Sequence, residues 1–227
     1  MFERVSTGIE GLDKMLRGGL IKNRAYLVKG GPGTGKTILS MHFLVEGANR
    51  GERVVYITLE EAEYEVRENM EALGFDLSKV EIVDLSPSSE NPIFKGLIGG
   101  RLDVETLEAM LNDLVGKDVD RVVIDSVTML RVASDSEVNY RFNLLSLMKA
   151  LRGLNATSLL TSEMESKVED YLVSGVIELR VIDVKGKPVR GLRVVKMRGS
   201  DFDENVRPYK ITSGGLVVYP DVSVFEV

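Results

Sequence analysis

Cysteine is absent from this sequence of 227 residues, and histidine occurs once, at His42. Without cysteine there is no disulfide framework, no thiolate metal site and no cysteine nucleophile. A single histidine excludes a metal centre built from several imidazoles. His42 lies within a predicted helix, and we interpret it as structural or solvent-facing rather than catalytic.

Long apolar runs and a basic charge balance are also missing. No window reaches the length of a membrane span, and the first residues, Met1 to Val5, contain no apolar signal-peptide core. We therefore expect a cytoplasmic protein with no membrane partner. The formal net charge of −6 provides no overall basic surface, which argues against nucleic acid as a partner but leaves that alternative open.

One stretch matches a known functional motif. Residues 30–37 read Gly-Gly-Pro-Gly-Thr-Gly-Lys-Thr and match the P-loop pattern G-x-x-x-x-G-K-[ST] in full. A strand is predicted before it, from Ala25 to Val28, and a helix after it, from Thr37 to Asn49. The glycines allow backbone N–H groups to form a concave nest for phosphate oxygens, and the helix directs the positive end of its dipole at the same point. The chain is therefore predicted to bind a nucleoside triphosphate.

The loop also assigns roles to single residues. Lys36 is expected to reach the β- and γ-phosphates and to contribute to catalysis, and the Thr37 hydroxyl to ligate Mg²⁺. A magnesium site needs an acid as well, and Asp125 ends the apolar sequence Val-Val-Ile-Asp, a Walker B pattern. In a parallel sheet this carboxylate emerges at the edge where the phosphates lie, so we expect it to hold Mg²⁺ through a water molecule. The residues predicted to contact the nucleotide are Gly31, Pro32, Gly33, Thr34, Gly35, Lys36, Thr37 and Ile38.

Other polar residues at strand ends are candidates for catalysis. Glu60 and Glu61 follow a predicted strand, and hydrolysis needs a carboxylate near the attacking water. Acids that favour a helix N-terminus would explain their positions equally well. The segment from Thr161 to Glu163 is a candidate sensor of the γ-phosphate. Lys196 and Arg198 share a face of a later strand, either as cations that contact phosphate across a subunit boundary or as a solvated strand face.

The order of elements predicts the fold class. Strands and helices alternate over most of the chain, and strands joined by short turns fill its last quarter, which predicts antiparallel hairpins there. A loop from Ser86 to Arg101 and a helix with an apolar face from Leu107 to Leu114 lie between two of the predicted core strands. We expect one α/β domain over residues 1–227, with a mostly parallel central sheet, helices on both faces and C-terminal antiparallel β-hairpins.

Several segments occur together in the order seen in one family. Residues 6–13, 18–20, 30–37, 60–61, 122–126 and 196–200 resemble KaiC-like ATPases of the RecA/RadA superfamily. The similarity runs from about residue 6 to residue 220 and corresponds to one KaiC domain rather than to the tandem pair of the clock protein. The resemblance implies a RecA-like P-loop core, ATP with Mg²⁺ as cofactors, and hexameric rings of identical subunits with nucleotide at the subunit interfaces.

The same resemblance sharpens the catalytic candidates. It implies that Glu60 and Glu61 are a catalytic glutamate pair, and that Lys196 and Arg198 reach the γ-phosphate bound by the neighbouring subunit. One departure matters: the clock protein carries an adjacent Ser-Thr phosphorylation pair where residues 169–174 here read Glu-Asp-Tyr-Leu-Val-Ser. We therefore predict ATP hydrolysis without self-phosphorylation of that kind.

Three functions compete. The first is a regulatory or signalling ATPase whose ring state acts on a protein partner. The second is a RadA-like DNA-binding recombinase paralogue or accessory protein. Residues 163–170 correspond to a segment that lines the ring axis of recombinases, and their four acids against one lysine would repel DNA. The third is a regulator that binds nucleotide with little turnover, and the intact P-loop lysine and acids argue against it.

Overall fold

A computed structural model of the chain describes residues 2–89, 109, 111–113, 115–116, 118–132, 134–163 and 167–226. The strands in these ranges are β1 (Arg4–Val5), β2 (Leu20–Ile21), β3 (Ala25–Gly30), β4 (Val54–Thr58), β5 (Glu81–Asp84), β6 (Arg121–Asp125), β7 (Thr157–Ser162), β8 (Gly175–Val184), β9 (Lys187–Met197), β10 (Arg207–Thr212) and β11 (Gly215–Val218). The helices are α1 (Glu10–Met15), α2 (Lys36–Asn49), α3 (Glu63–Glu71), α4 (Thr128–Val132), α5 (Glu137–Gly153) and α6 (Lys167–Leu172), with a 3₁₀ turn at Val224–Glu226.

Nine of the described strands form one sheet in the order β11-β10-β9-β8-β3-β7-β6-β4-β5. The six strands from β8 to β5 in that order pair in parallel. The pairs β8–β9, β9–β10 and β10–β11 are antiparallel. A two-residue turn joins β8 to β9, and both of its residues, Lys185 and Gly186, have positive φ values of 54° and 79°. Such a turn matches the twist of an antiparallel hairpin, which is why the parallel order ends here.

Helices cover both faces of the sheet, as the sequence predicts. On one face Leu12 of α1, Phe43 of α2 and Val66 of α3 are buried in a common apolar core. On the other face Leu144 and Leu151 of α5 are buried in a second core. A strand between two such layers is apolar on both sides, and all five residues of β4 are buried. The predicted fold class is confirmed.

The short elements were harder to predict. The sequence did not predict α4 or α6, because five or six residues give too short a window for an apolar period, nor the sheet of β1 and β2, whose strands have two residues each. The predicted loop from Ser86 to Arg101 is described only to Ser89, and the predicted helix at 107–114 only at residues 109 and 111–113, so most of the loop and half of the helix lie outside the described residues. Within the described ranges, no helix combines the length and apolar character needed to cross a bilayer.

Candidate functional site

The P-loop leaves the carboxyl end of β3 and enters the first turn of α2. Gly35 is the N-cap residue of α2 and has a left-handed conformation, with φ 96° and ψ 27°, which side chains other than glycine rarely adopt. The loop borders a cleft of about 360 Å³. Among the residues lining the cleft are the predicted nucleotide contacts Pro32, Gly33, Gly35, Lys36, Thr37 and Ile38.

Lys36 lies deep in this cleft, with a side chain that is 8% exposed. Its ammonium donates to the carbonyl oxygens of Gly30, at 3.0 Å, and Gly31, at 3.3 Å. It also forms an ion pair with the Oε1 atom of Glu163 at 3.0 Å. The predicted phosphate-binding cation is thus held at the loop by a carboxylate, and bound phosphate would compete with that carboxylate for it.

Asp125 is the centre of a small hydroxyl cluster. Its Oδ2 atom accepts hydrogen bonds from Thr37 Oγ1 at 2.8 Å and from the Tyr56 hydroxyl at 2.6 Å. Its Oδ1 atom accepts a hydrogen bond from the hydroxyl of Thr161. The two predicted magnesium ligands, Thr37 and Asp125, therefore meet, although 88 positions separate them in sequence.

This donor set fits Mg²⁺ bound together with a phosphate. In the part of the chain that the structure describes, no group of three or more acidic or histidine side chains is placed to hold a metal alone. Mg²⁺ is usually held by one or two carboxylates and by the phosphate oxygens of a substrate, and it keeps several waters. Thr37 and Asp125 would supply the protein's share of such a site.

Glu60 and Glu61 line the same cleft, at the end of β4. Ser126, which follows Asp125 through a cis peptide bond, donates a hydrogen bond to Glu60 Oε1. Burial raises the pKa of Glu60. Burial, and to a smaller extent the negative charge of Asp125, raises the pKa of Glu61. A carboxylate whose pKa is raised towards the working pH accepts a proton more readily, so either residue suits a general base.

Lys196 and Arg198 lie far from the P-loop of their own chain. Met197 pairs with Gly175, which pairs with Tyr26 at the amino end of β3. The P-loop begins four residues further along β3, at Gly30, which is about 13 Å along the strand direction. The two cations therefore lie near the amino ends of the parallel strands, whereas the cleft lies at their carboxyl ends.

Both cations reach the end of α6. The Lys196 ammonium donates to the carbonyl oxygens of Asp170 and Val173, the latter at 2.8 Å, and burial together with the charge of Arg198 lowers the Lys196 pKa. Arg198 donates to the carbonyl oxygen of Tyr171 at 2.7 Å. Carbonyl groups at a helix C-terminus attract cations, which accounts for this arrangement.

The contacts of α6 change the interpretation of the acids in residues 163–170, whose charge argued against DNA binding. Glu169 is 1% exposed, and its Oε1 atom accepts a hydrogen bond from the Tyr140 hydroxyl at 2.5 Å. Asp170 pairs with Lys29 of β3 at 2.7 Å. With Glu163, which pairs with Lys36, three of the four acids counted against a DNA channel are thus engaged in contacts within the chain, so the argument from the segment's charge loses most of its acids.

Three residues of the site were missed by sequence reasoning. Tyr209 donates from its hydroxyl to the carbonyl oxygen of Thr34 at 2.6 Å, and Arg190 donates to that of Gly33 at 2.8 Å, so β9 and β10 support the P-loop. No local pattern indicates these contacts. The third is Tyr56, and here a signal exists: Tyr56 and Thr58 share one face of β4, Glu60 continues their alternation two residues beyond its end, and all three line the cleft.

Comparisons with known proteins place this chain in a family. The family model described as "ATPase: KaiC" matches residues 5–223. A "UPF0273 protein" of Pyrococcus furiosus is 35% identical over 241 residues, which cover 97% of this chain and 96% of that protein. The circadian clock protein KaiC3 of Synechocystis is 32% identical over 96% of this chain, which matches 46% of that protein's length. Among solved structures, a KaiC-like protein from the hyperthermophilic archaeon Pyrococcus horikoshii is similar with a TM-score of 0.83 and 29% sequence identity, over 97% of this chain and 100% of that one. The chain belongs to the KaiC family of ATPases.

Proposed function

We propose that this protein is a Mg²⁺-dependent ATPase that binds ATP at the subunit interfaces of a homo-oligomeric ring, most simply a hexamer, and that acts as a regulatory or signalling ATPase. The observation that carries the proposal is the contact of 2.8 Å between Thr37 and Asp125 beside the buried ammonium of Lys36. It brings the two oxygen donors that a P-loop metal site needs to the edge of the phosphate cradle. Membership of an ATPase family supports ATP as the nucleotide.

The residues divide the work of hydrolysis. The backbone N–H groups of the loop and the Lys36 ammonium bind the phosphates, and Thr37 and Asp125 hold Mg²⁺, which neutralises phosphate charge when it is bound. Glu60 or Glu61 orients the attacking water and accepts its proton, which their raised pKa values favour.

Lys196 and Arg198 complete the site of the neighbouring subunit. Their position at the opposite edge of the sheet from their own P-loop supports action across an interface, because neither side chain spans that distance within one chain. A cation supplied by a neighbour stabilises the charge that develops on the transferred phosphoryl group, as an arginine finger does.

The regulatory part of the proposal is supported by the chain order. One stretch runs from Glu163 in the cleft to the end of α6, where the two cations are held. Glu163 contacts Lys36 in the cleft, and the segment that follows it leads to the carbonyl groups that hold Lys196 and Arg198. Nucleotide that displaces Glu163 from Lys36 would act on the residue four positions before α6, the helix whose end holds the two cations. In this way the state of one site is transmitted to the next subunit, and the ring presents a nucleotide-dependent surface to a protein partner.

Mixing two inactive variants tests the shared site directly. Lys36→Ala removes the phosphate-binding lysine, and Arg198→Ala removes the proposed cation while it should leave nucleotide binding intact. Each variant alone should lose at least about a hundredfold in turnover. In mixed rings the intact P-loop of an Arg198→Ala subunit meets the intact arginine of a Lys36→Ala subunit, so turnover should return. Arg152→Ala, at an exposed position on α5, is the matched control and should behave as wild type.

Size-exclusion chromatography with mass detection, with and without Mg·ATP, measures the assembly in parallel. A monomer under all conditions, or mixtures that stay as inactive as their components, would refute the shared site. A protein that carries label from γ-labelled ATP would refute the absence of self-phosphorylation. Tight, ATP-dependent binding of single-stranded DNA that weakens steeply with salt would favour the recombinase alternative instead.

A further inference from the structure

Tyr56 has a role in the metal site that the P-loop pattern does not assign. The tyrosine lies in the middle of β4, between β5 and β6, and is 2% exposed. A buried phenol needs a hydrogen-bond partner, and its hydroxyl donates to Asp125 Oδ2 at 2.6 Å. The Asp125 carboxylate is thus bonded from inside the sheet as well as from the P-loop.

The number of donors limits what Asp125 is able to do. A carboxylate offers about four lone-pair positions on its two oxygens. Hydroxyls of Thr37 and Tyr56 occupy two on Oδ2, and that of Thr161 occupies one on Oδ1. About one lone-pair position is left for a further partner. The three hydrogen bonds come from three different elements, so they prevent the carboxylate from rotating.

Such a carboxylate suits one kind of ion better than another. Mg²⁺ keeps its waters and is well served by a fixed acceptor for a metal-bound water, whereas Ca²⁺ takes six to eight oxygens and favours direct, adaptable carboxylate ligands. We propose that Tyr56, together with Thr161, is a positioning residue that holds Asp125 as an acceptor for metal-bound water, prevents direct coordination, and so makes the site selective for Mg²⁺ over Ca²⁺. This inference rests on the proposed function.

Titrations of metal binding test the proposal without using turnover. Wild type and Tyr56→Phe are saturated with a non-hydrolysable ATP analogue, and Mg²⁺ and Ca²⁺ are titrated separately by calorimetry. The loss of a partner that orients a metal ligand typically costs 10–100-fold in affinity. We expect the Mg²⁺ affinity of Tyr56→Phe to fall about tenfold while its Ca²⁺ affinity changes by less than about threefold, because the freed carboxylate is able to bind Ca²⁺ directly.

Tyr26→Phe is the matched control. Tyr26 is also a buried strand tyrosine, 1% exposed, but its hydroxyl donates to the carbonyl oxygen of Ile21 at 2.9 Å, outside the site. It should keep both metal affinities at the wild-type values, and thermal unfolding of the two variants compares their stability. Thr161→Val removes the other hydroxyl that does not itself ligate the metal and should shift selectivity in the same direction, so the test stands even where Tyr56→Phe folds poorly.

The outcomes separate this inference from the proposed function. Unchanged Mg²⁺ affinity in Tyr56→Phe and Thr161→Val, or equal losses for Mg²⁺ and Ca²⁺, would overturn the positioning role while leaving the ATPase proposal intact. A wild-type protein that binds the analogue but takes up no Mg²⁺ would overturn the proposed metal site itself. A selective loss of Mg²⁺ in the variants, with Tyr26→Phe unchanged, supports the role of Tyr56.

Discussion

His42 makes the stability of this protein depend on pH in a way that is measurable at a single residue. The imidazole is half-buried on α2, its Nε2 atom accepts a hydrogen bond from the backbone N–H of Leu216 at 2.8 Å, and its ring lies edge-on to Phe75 with centroids 4.8 Å apart. Burial lowers the pKa of His42 from 6.5 to about 4. Protonation would also put a hydrogen on the atom that now accepts the bond, so the folded state favours the neutral ring.

The direction and the size of the effect follow from linkage. Between pH 6.5 and pH 4 the unfolded chain binds a proton at His42 that the folded chain does not, so the free energy of unfolding falls as the pH falls through this range. A shift of one pKa unit corresponds to about 1.4 kcal/mol, so the His42 contribution should decrease by about 2 kcal/mol at pH 5 and by about 3 kcal/mol at pH 4, relative to pH 8. Above pH 7 the contribution is constant.

Urea unfolding of wild type and His42→Gln at several pH values isolates the His42 contribution to the free energy of unfolding, because the carboxylates titrate alike in both proteins. The glutamine amide keeps an acceptor for the Leu216 N–H but has no titration. The wild-type protein should lose about 3 kcal/mol more than His42→Gln between pH 8 and pH 4. Since His42 is the only histidine, one proton NMR resonance reports its pKa directly. A measured pKa near 6.5, or a difference between the two proteins that does not vary with pH, would refute the reasoning.

Three ion pairs give further predictions. Glu163→Gln removes the carboxylate that competes with phosphate for Lys36, and nucleotide affinity should rise by about threefold in a fluorescence titration, because a partly exposed pair is worth less than about 1 kcal/mol; weaker binding would contradict the competition. Glu52→Ala leaves the guanidinium of Arg121, which is 0% exposed, without its carboxylate, and should cost about 3 kcal/mol of unfolding free energy in urea. Glu10→Ala breaks an exposed pair and should leave the urea midpoint unchanged; equal effects of the two changes would show that burial of Arg121 is unimportant.

Much of the fold could be read from local patterns. The β6 strand was predicted to end at the acid Asp125, and α2 to follow the P-loop to Asn49, and the structure has both within a residue. These predictions succeed because their causes are local: glycine spacing, the length of an apolar run and the period of a helix act within about ten residues. The encounter of Thr37 with Asp125 was also predictable, since carboxyl ends of parallel strands meet at one edge of the sheet.

The sequence by itself thus determined the P-loop with its lysine, the two proposed metal ligands, and the class of fold. Only the tertiary structure decided three contacts between residues that are distant in sequence. The Tyr56 hydroxyl bonds to Asp125 across 69 positions, Glu163 pairs with Lys36 across 127 positions, and the Tyr209 hydroxyl bonds to the Thr34 carbonyl across 175 positions. It also decided that Lys196 lies at the edge of the sheet away from the cleft. These contacts depend on strand order and on which helices cross the sheet, and both are set by how all the apolar faces pack together rather than by any short stretch of residues.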